Sequence, residues 1–235
     1  GLLMNETKAY YLVIEHIQML VQQNKISFDS KLPSERQLAA TLGLSRNSIR
    51  EVLRSLENMG IVESRHGQGS FLVNHISQSL GSTLSLLLFM DACSSKEIRQ
   101  LRRSIEISAY LLAVKQIQGT QIQELSRCFN ALENSILEER ATLDKQFHDT
   151  LIQFSGNRMF ILLNETLSQL VEHTIQEYQT HLSPNIWKQL LSYHARILSC
   201  LTLQTEEGIH AITEYYDFIE RVIKCYNSHS RQILY

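Results

Sequence analysis

Residues 31–73 read KLPSERQLAATLGLSRNSIREVLRSLENMGIVESRHGQGSFLV, and this stretch decides how the rest of the chain is read. Ser34 follows Pro33, and Gln37 stands three residues further on, the spacing of a helix N-cap with a capping box. Leu38, Ala39 and Leu42 then recur at helical spacing until Gly43 stops the run after about two turns. Ser45 opens a second helix in which Ile49, Val52, Leu53 and Leu56 form the apolar stripe, and Gly60 ends it. Two short helices joined through a glycine turn predict a helix-turn-helix. Ile61–Ser64, the turn His66-Gly67-Gln68-Gly69, and Ser70–Val73 predict an attached β-hairpin, a wing.

Ser45, Arg46, Asn47, Ser48 and Arg50 fall in the first turns of the second helix, while Leu53 and Leu56 turn the opposite face inward. In a helix-turn-helix the leading residues of the second helix meet base edges and phosphates in the major groove. Arg forks match guanine or phosphate, and Asn or Ser side chains hydrogen-bond to bases or backbone. Glycines in the wing allow close approach of its backbone to the minor groove, with Arg65, His66 and Gln68 as further contacts. Helix-turn-helix units also serve as protein–protein modules, but here cap, turn and arginine signals agree. Residues 31–73 hold six Lys and Arg against four Glu, a surplus of two positives on a chain whose net charge is −2. The electrostatic attraction for DNA is local and modest, so tight binding is expected from a dimer presenting two copies.

The stretch resembles the winged-helix domain of the GntR family of bacterial transcription regulators. The family's string runs through Leu32, Pro33, Ser34, Glu35, Arg36, Leu38, Ala39, Leu42, Gly43, Ser45, Arg46, Arg50, Leu53, Leu56 and Gly60. The resemblance implies DNA contacts by Arg36, Arg46 and Arg50 and by the wing turn His66, Gly67 and Gly69. Leu44, Ile49 and Val52 depart from it only by apolar exchange.

Upstream, Tyr10, Val13, Ile14, Ile17 and Leu20 give an amphipathic helix expected to pack under the helix-turn-helix. Downstream of Val73 the composition changes: Pro184 is the only proline left, glycines are few, and helical runs succeed one another. They are expected near 77–90, Lys96–Gln118 (ended by Gly119), Thr120–Arg140, 141–155, 158–182, 185–203 and 206–227. The predicted fold is mainly α: a winged helix-turn-helix over 5–74, a linker helix and turn over 75–94, and an antiparallel all-α bundle over 95–230. Four widely spaced cysteines without a C-x-x-C pair favour thiols in a reducing cytosol over a zinc knuckle or disulfide framework. The apolar run Leu84–Met90 is too short to cross a bilayer, and no signal sequence is evident, so a cytoplasmic protein is expected.

Asp144 and His148 stand at i and i+4 on one helical face with Leu151 and Ile152, and His194 lies among Leu190, Ile197 and Leu198 on a later helix. A carboxylate and two imidazoles suit zinc, nickel or manganese, although each is also an ordinary hydrogen-bonding residue. Residues 95–225 resemble the helical effector domain of the FadR branch of the GntR family, through Leu101-Arg102-Arg103-Ser104-Ile105-Glu106, Asp144-Lys145-Gln146-Phe147-His148, Ser155-Gly156-Asn157 and His194-Ala195-Arg196-Ile197-Leu198. That resemblance implies a metal held by Asp144, His148 and His194, and a small carboxylate effector gripped by Arg102. The branch's fourth ligand, a histidine about 22 residues beyond His194, falls here on Glu214-Tyr215-Tyr216-Asp217. Tyr216 or Asp217 replaces it, or three protein ligands suffice, or no metal binds; His173 and His210 are other candidates. Arg102 alternatively pairs with Glu106 at the surface, and Trp187, Tyr110, Tyr178, Tyr193 and Tyr216 line a pocket or pack the core. The expected function is a homodimeric, effector-controlled regulator, most often a repressor, on a palindromic operator, and not an enzyme. Two rivals are a metal-free regulator with a larger acyl ligand and a metal-dependent phosphohydrolase built on His148-Asp149.

Overall fold

The computed structural model describes residues 2–232, with residues 2–6, 173–174 and 229–232 described by backbone alone. The chain divides into two compact units, residues 1–83 and 84–235.

In the first unit, α1 (Leu2–Gln22) lies against α3 (Arg46–Asn58), which follows α2 (Glu35–Leu42). The capping box is formed: the Gln37 backbone N–H donates to Ser34 Oγ at 3.2 Å, and the Ser34 N–H donates to Gln37 Oε1 at 2.8 Å. Gly43 closes α2 in the left-handed region at φ 65°. Val13, Leu38, Ile49 and Leu56 are sealed in the core, as their spacing predicts. Strands β1 (Val62–Arg65) and β2 (Gly69–Leu72) make the antiparallel wing, with Val62 opposite Leu72 and Arg65 opposite Gly69. The segment before α2 does more than connect. The Leu32 N–H donates to Ser70 O at 2.8 Å and the Leu72 N–H donates to Ser30 O at 2.9 Å, so residues 30–32 cover the outer edge of β2.

Helix α4 (Ile76–Phe89) runs across the boundary between the units. The second unit contains α5 (Ser95–Ala113), α6 (Gly119–Glu133), a short 3-10 turn (Leu137–Glu139), α7 (Arg140–Gln153), α8 (Arg158–Gln179), α9 (Pro184–Thr202) and α10 (Gly208–Gln232). Helix α5 packs on α7, α8 and α10, which makes it the centre of the bundle. Several boundaries differ from expectation, and two of the differences have a clear cause. Gly119 does not stop α5 but opens α6, because Gln118 forms the N-cap with Gln121. Helix α6 ends at Glu133 rather than near Arg140, where Asn134 Nδ2 donates to Asn130 O at 2.8 Å and Ser135 Oγ to Leu132 O at 2.6 Å. Such side chains offer the backbone an alternative to another helical turn.

The bundle core is apolar at Tyr110, Phe147, Leu151, Leu190, Ile197 and Ile212, yet it also buries Arg102, Glu106, Asp144, His148, Gln179 and His194. Ionised groups are rarely placed in a core unless partners or a ligand compensate them.

At Gly60 the backbone is left-handed (φ 78°), and an added Cβ would lie 2.4 Å from the His75 carbonyl oxygen. Gly60→Ala is therefore expected to destabilise the winged unit by more than about 1 kcal/mol. Denaturant unfolding of the variant checks this, and an unchanged midpoint would contradict the strain assigned to this turn.

Candidate functional sites: a DNA-reading face and a buried polar centre

In the winged unit, Arg36, Ser45, Arg46, Asn47 and Arg50 are exposed on α2 and the start of α3, Ser48 is half-buried, and His66, Gly67 and Gly69 are exposed at the wing tip. Ser45 Oγ accepts from the Ser48 N–H at 3.0 Å and lies 2.9 Å from Ser48 Oγ, so both hydroxyls serve the helix cap. Arg50 is not free: Nε and Nη2 donate to the two Glu35 oxygens at 3.2 and 2.9 Å. That fork tightens α2 onto α3 and aims the guanidinium. Glu35 is held below the usual carboxylate range, first by this hydrogen bond, although burial opposes it. Arg65 turns back over the Phe71 ring at 4.0 Å and pairs with Glu63 rather than projecting from the wing.

The second site lies within the bundle. Asp144 and His148 leave the same face of α7, and His194 comes from α9. The three are 1, 3 and 0% exposed. His194 Nε2 is 2.6 Å from Asp144 Oδ1 and 3.1 Å from His148 Nε2, and His148 Nε2 is 3.6 Å from Asp144 Oδ1. Metal–ligand bonds of about 2.0–2.2 Å place neighbouring donor atoms roughly 3–3.5 Å apart; the three atoms here lie within 4.8 Å of one another, near enough to share a small cation after a small adjustment of the 2.6 Å contact.

The surrounding hydrogen bonds fix which atoms face inward. His194 Nδ1 lies 2.9 Å from the Leu190 carbonyl, which can only accept, so that nitrogen carries a proton. His148 Nδ1 donates to Glu106 Oε1 of α5. Asp144 Oδ2 accepts from Tyr215 Oη at 3.1 Å and Gln179 Nε2 at 3.2 Å, which turns Oδ1 toward the imidazoles. Both Nε2 atoms and Oδ1 thus face one another, an arrangement that protons shared among them, or a metal ion in their place, would stabilise. Partners of this kind orient metal ligands and raise their basicity. Phe147 and Tyr215 pack against both imidazoles, with ring centroids 4.5–5.5 Å away.

The electrostatics agree. Burial alone would lower the basicity of His148, but Glu106 and Asp144 outweigh it and push the imidazole up to about 10. Burial would raise Asp144, yet hydrogen bonds from His148 and His194 hold it far below the usual carboxylate range. A proton on His148 thus supplies the positive charge when no other cation does.

Arg102 is 5% exposed, and its Nε has no hydrogen-bond partner. It is not a surface partner of Glu106: Glu106 is fully buried and bonds His148 and Tyr216 instead. The candidates for the fourth-ligand position lie as follows. Tyr216 Oη donates to Glu106 Oε2 at 2.7 Å, so it supports a supporting group, while Asp217 lies at the surface paired with Arg103 at 3.0 Å. His210 is exposed beside Glu207, and the His173 side chain lies outside the described residues. Asp149 donates nothing to the centre, since its oxygens accept from Lys145 and Asn164, both at 2.7 Å. Among the aromatic candidates, Tyr110 bonds the Thr205 carbonyl at 2.6 Å, Trp187 lies under Arg140 and Tyr193 packs on Phe218. Tyr178 is different: its buried hydroxyl has no partner, like Gln179 Oε1. Sequence reasoning missed the roles of Glu106, Tyr215 and Gln179. The available signal was Glu106 itself, a carboxylate inside the apolar stripe Ile98, Ile105, Ala109.

A winged helix-turn-helix joined to a helical bundle with a buried polar centre defines a regulator that couples DNA reading to ligand sensing. Residues 9–72 match the gntR family of bacterial regulatory proteins and residues 97–216 match the FCD domain, so the chain belongs to the GntR family, in its FadR-type branch. Its relatives include the putative L-lactate dehydrogenase operon regulatory protein of Escherichia coli K12, 28% identical over 90% of this chain and 85% of that one. The Glc operon transcriptional activator of the same strain is 28% identical over 81% of this chain and 78% of its own length. A GntR structure from Streptococcus agalactiae shares the fold, with a TM-score of 0.74 at 23% identity, covering 91% of this chain and 99% of that one. The families and relatives are transcription regulators rather than enzymes, in keeping with an Asp149 whose oxygens are committed to Lys145 and Asn164. No helix among the described residues is long and apolar enough to cross a membrane.

Because the His148 proton stands where a metal would, loading Zn²⁺ into the centre should release it. His148 holds its proton up to about pH 10, so acidification from there disfavours the metal. Calorimetry in buffers of different ionisation enthalpy should find about one proton released per zinc at neutral pH. Zinc binding without proton release would contradict the geometry assigned here.

Proposed function

We propose that the protein is a one-component transcription regulator that binds a palindromic operator as a homodimer in the cytoplasm, acts as a repressor, and is controlled by a small organic acid bound at the Asp144–His148–His194 centre. The observation that carries this reading is the convergence of three inward-facing donor atoms beside a buried arginine whose Nε is unpaired. The donor set fits zinc, nickel or manganese, held by Asp144, His148 and His194. Such an ion, when bound, supplies a Lewis-acidic anchor for a carboxylate.

The chain's own residues do the rest. Glu106 and the Leu190 carbonyl hold the imidazoles in their ligating tautomers. Tyr215 and Gln179 keep Asp144 Oδ1 pointed inward. Arg102 offers a fork that matches carboxylate geometry and remains charged at any physiological pH. Tyr178 Oη and Gln179 Oε1 provide one hydroxyl and one acceptor for further polar groups of the ligand. Similarity to a regulator named for an L-lactate dehydrogenase operon supports an acid of that size. A long acyl ligand has less support, since the groups at this centre are ionisable and polar.

On the DNA side, Arg36, Arg46, Asn47 and Arg50 read the major groove, with Ser45 and Ser48 presenting the capped start of α3 to the backbone. His66, Gly67 and Gly69 carry the wing to the minor groove. Control requires that the acid bind the DNA-competent and DNA-incompetent arrangements with different affinity. Helix α4 crosses the boundary between the units and is the element through which that difference is transmitted.

Two variants separate the functions. Arg46→Ala should cost operator affinity about 1–3 kcal/mol, roughly 5- to 150-fold, in a mobility-shift titration. Arg102→Ala should retain operator affinity while losing the response to added L-lactate and other small acids. An Arg102→Ala protein that still responds normally would remove this arginine from the effector site.

A further inference from the structure

Apart from the Asp144 centre, the bundle carries a second feature, a basic cavity between the N-terminal part of α5 and the C-terminal half of α10. It has a volume of about 490 Å³, and Lys96, Arg99, Glu220, Arg221 and Lys224 line it together with Asn227. Positions 96 and 99 share one face of α5, and 220, 221 and 224 share one face of α10, so helix packing brings all five together. The cavity's four cations face one carboxylate, a local balance of +3 on a chain whose net charge is −2.

The single carboxylate is already committed. Arg99 is 7% exposed and donates through Nε and Nη2 to the two oxygens of the half-buried Glu220, so this pair forms the floor of the cavity. Among the described residues, Lys96, Arg221 and Lys224 have no carboxylate partner. Glu97, beside Lys96, turns its carboxylate to the Ser94 N–H and hydroxyl, both at 2.8 Å, and caps α5 instead. A smaller cavity of about 250 Å³ continues from Lys96 and Arg99 toward Gln100 and Arg103, where Asp217 neutralises Arg103. The surplus positive charge is thus greatest in the larger cavity, where Arg221 and Lys224 join Lys96.

Three unpaired cations around a concave site repel one another and are relieved by an anion that touches all of them. The volume is that of a small-molecule site, larger than a single inorganic anion needs. Lysines act as mobile point charges and arginine as a planar fork, a combination suited to several anionic oxygens at once. We propose that this cavity is a second ligand site, separate from the Asp144 centre, for a small polyanion bearing a phosphoryl group or several carboxylates. It draws on no residue of the inner centre and does not depend on the metal reading.

The test is titration of the full-length protein with inorganic phosphate and, separately, with the tricarboxylate tricarballylate, followed by backbone amide shifts in NMR. The expected result is saturable binding of one anion per chain, with shifts concentrated at residues 96–103 and 220–228. An Arg221→Glu/Lys224→Glu double variant should bind at least about tenfold more weakly with an unchanged melting temperature, since both positions are on the helix surface. Tighter binding of phosphate assigns the site to phosphoryl ligands, and tighter binding of the tricarboxylate assigns it to polycarboxylates. Failure of both to saturate, equal affinity in the double variant, or shifts confined to α7 and α9 would overturn the proposal.

Discussion

Two imidazole nitrogens and one carboxylate oxygen meet head-on in the middle of the bundle, and much of the second unit is arranged to make them do so. Helix α7 contributes Asp144 and His148, α9 contributes His194, α5 contributes Glu106, and α8 and α10 contribute Gln179, Tyr215 and Tyr216. Such a meeting costs several kcal/mol if it is left without positive charge. A proton on His148 meets the requirement, and a divalent ion held by the same three donors would meet it equally. The centre is therefore a place where folding, protonation and ligand binding draw on the same few atoms.

The replacement of the branch's fourth histidine by Tyr216 makes sense in this frame. The phenol donates to Glu106, which in turn holds His148. On the metal reading, the change would move one protein contact from the inner ring of donors to the ring behind it. Three protein donors would leave a bound ion room for an incoming carboxylate, and Arg102 lies buried in the same neighbourhood, where Tyr215, Tyr216 and Glu106 contribute to its field.

Much of this was legible in the sequence, for particular reasons. Ser34, Gln37, Gly43, Ser45 and Gly60 are local signals whose meaning does not depend on distant residues, so the helix-turn-helix and wing could be read directly. Asp144 and His148 were legible because helical spacing places them together. Glu106, Tyr215 and Gln179 were not, because their roles depend on which helices pack side by side, and a single chain of letters carries no such distance. Helix ends at Gly119 and after Glu133 are not set by apolar spacing, because glutamine, asparagine and serine side chains decide the boundary there through hydrogen bonds that compete with the helix. The edge pairing of residues 30–32 with β2 leaves no mark in the sequence, since it is a backbone contact between segments about forty residues apart.

The central claim, that Asp144, His148 and His194 hold a divalent ion, is tested most directly by elemental analysis of protein purified without chelator, alongside an Asp144→Ala/His194→Ala variant. The account predicts about one zinc, nickel or manganese per chain in the native protein and none in the variant. A native protein free of metal that also fails to take up any of the three ions on dialysis would contradict it, leaving His148 protonated as the permanent state of the centre.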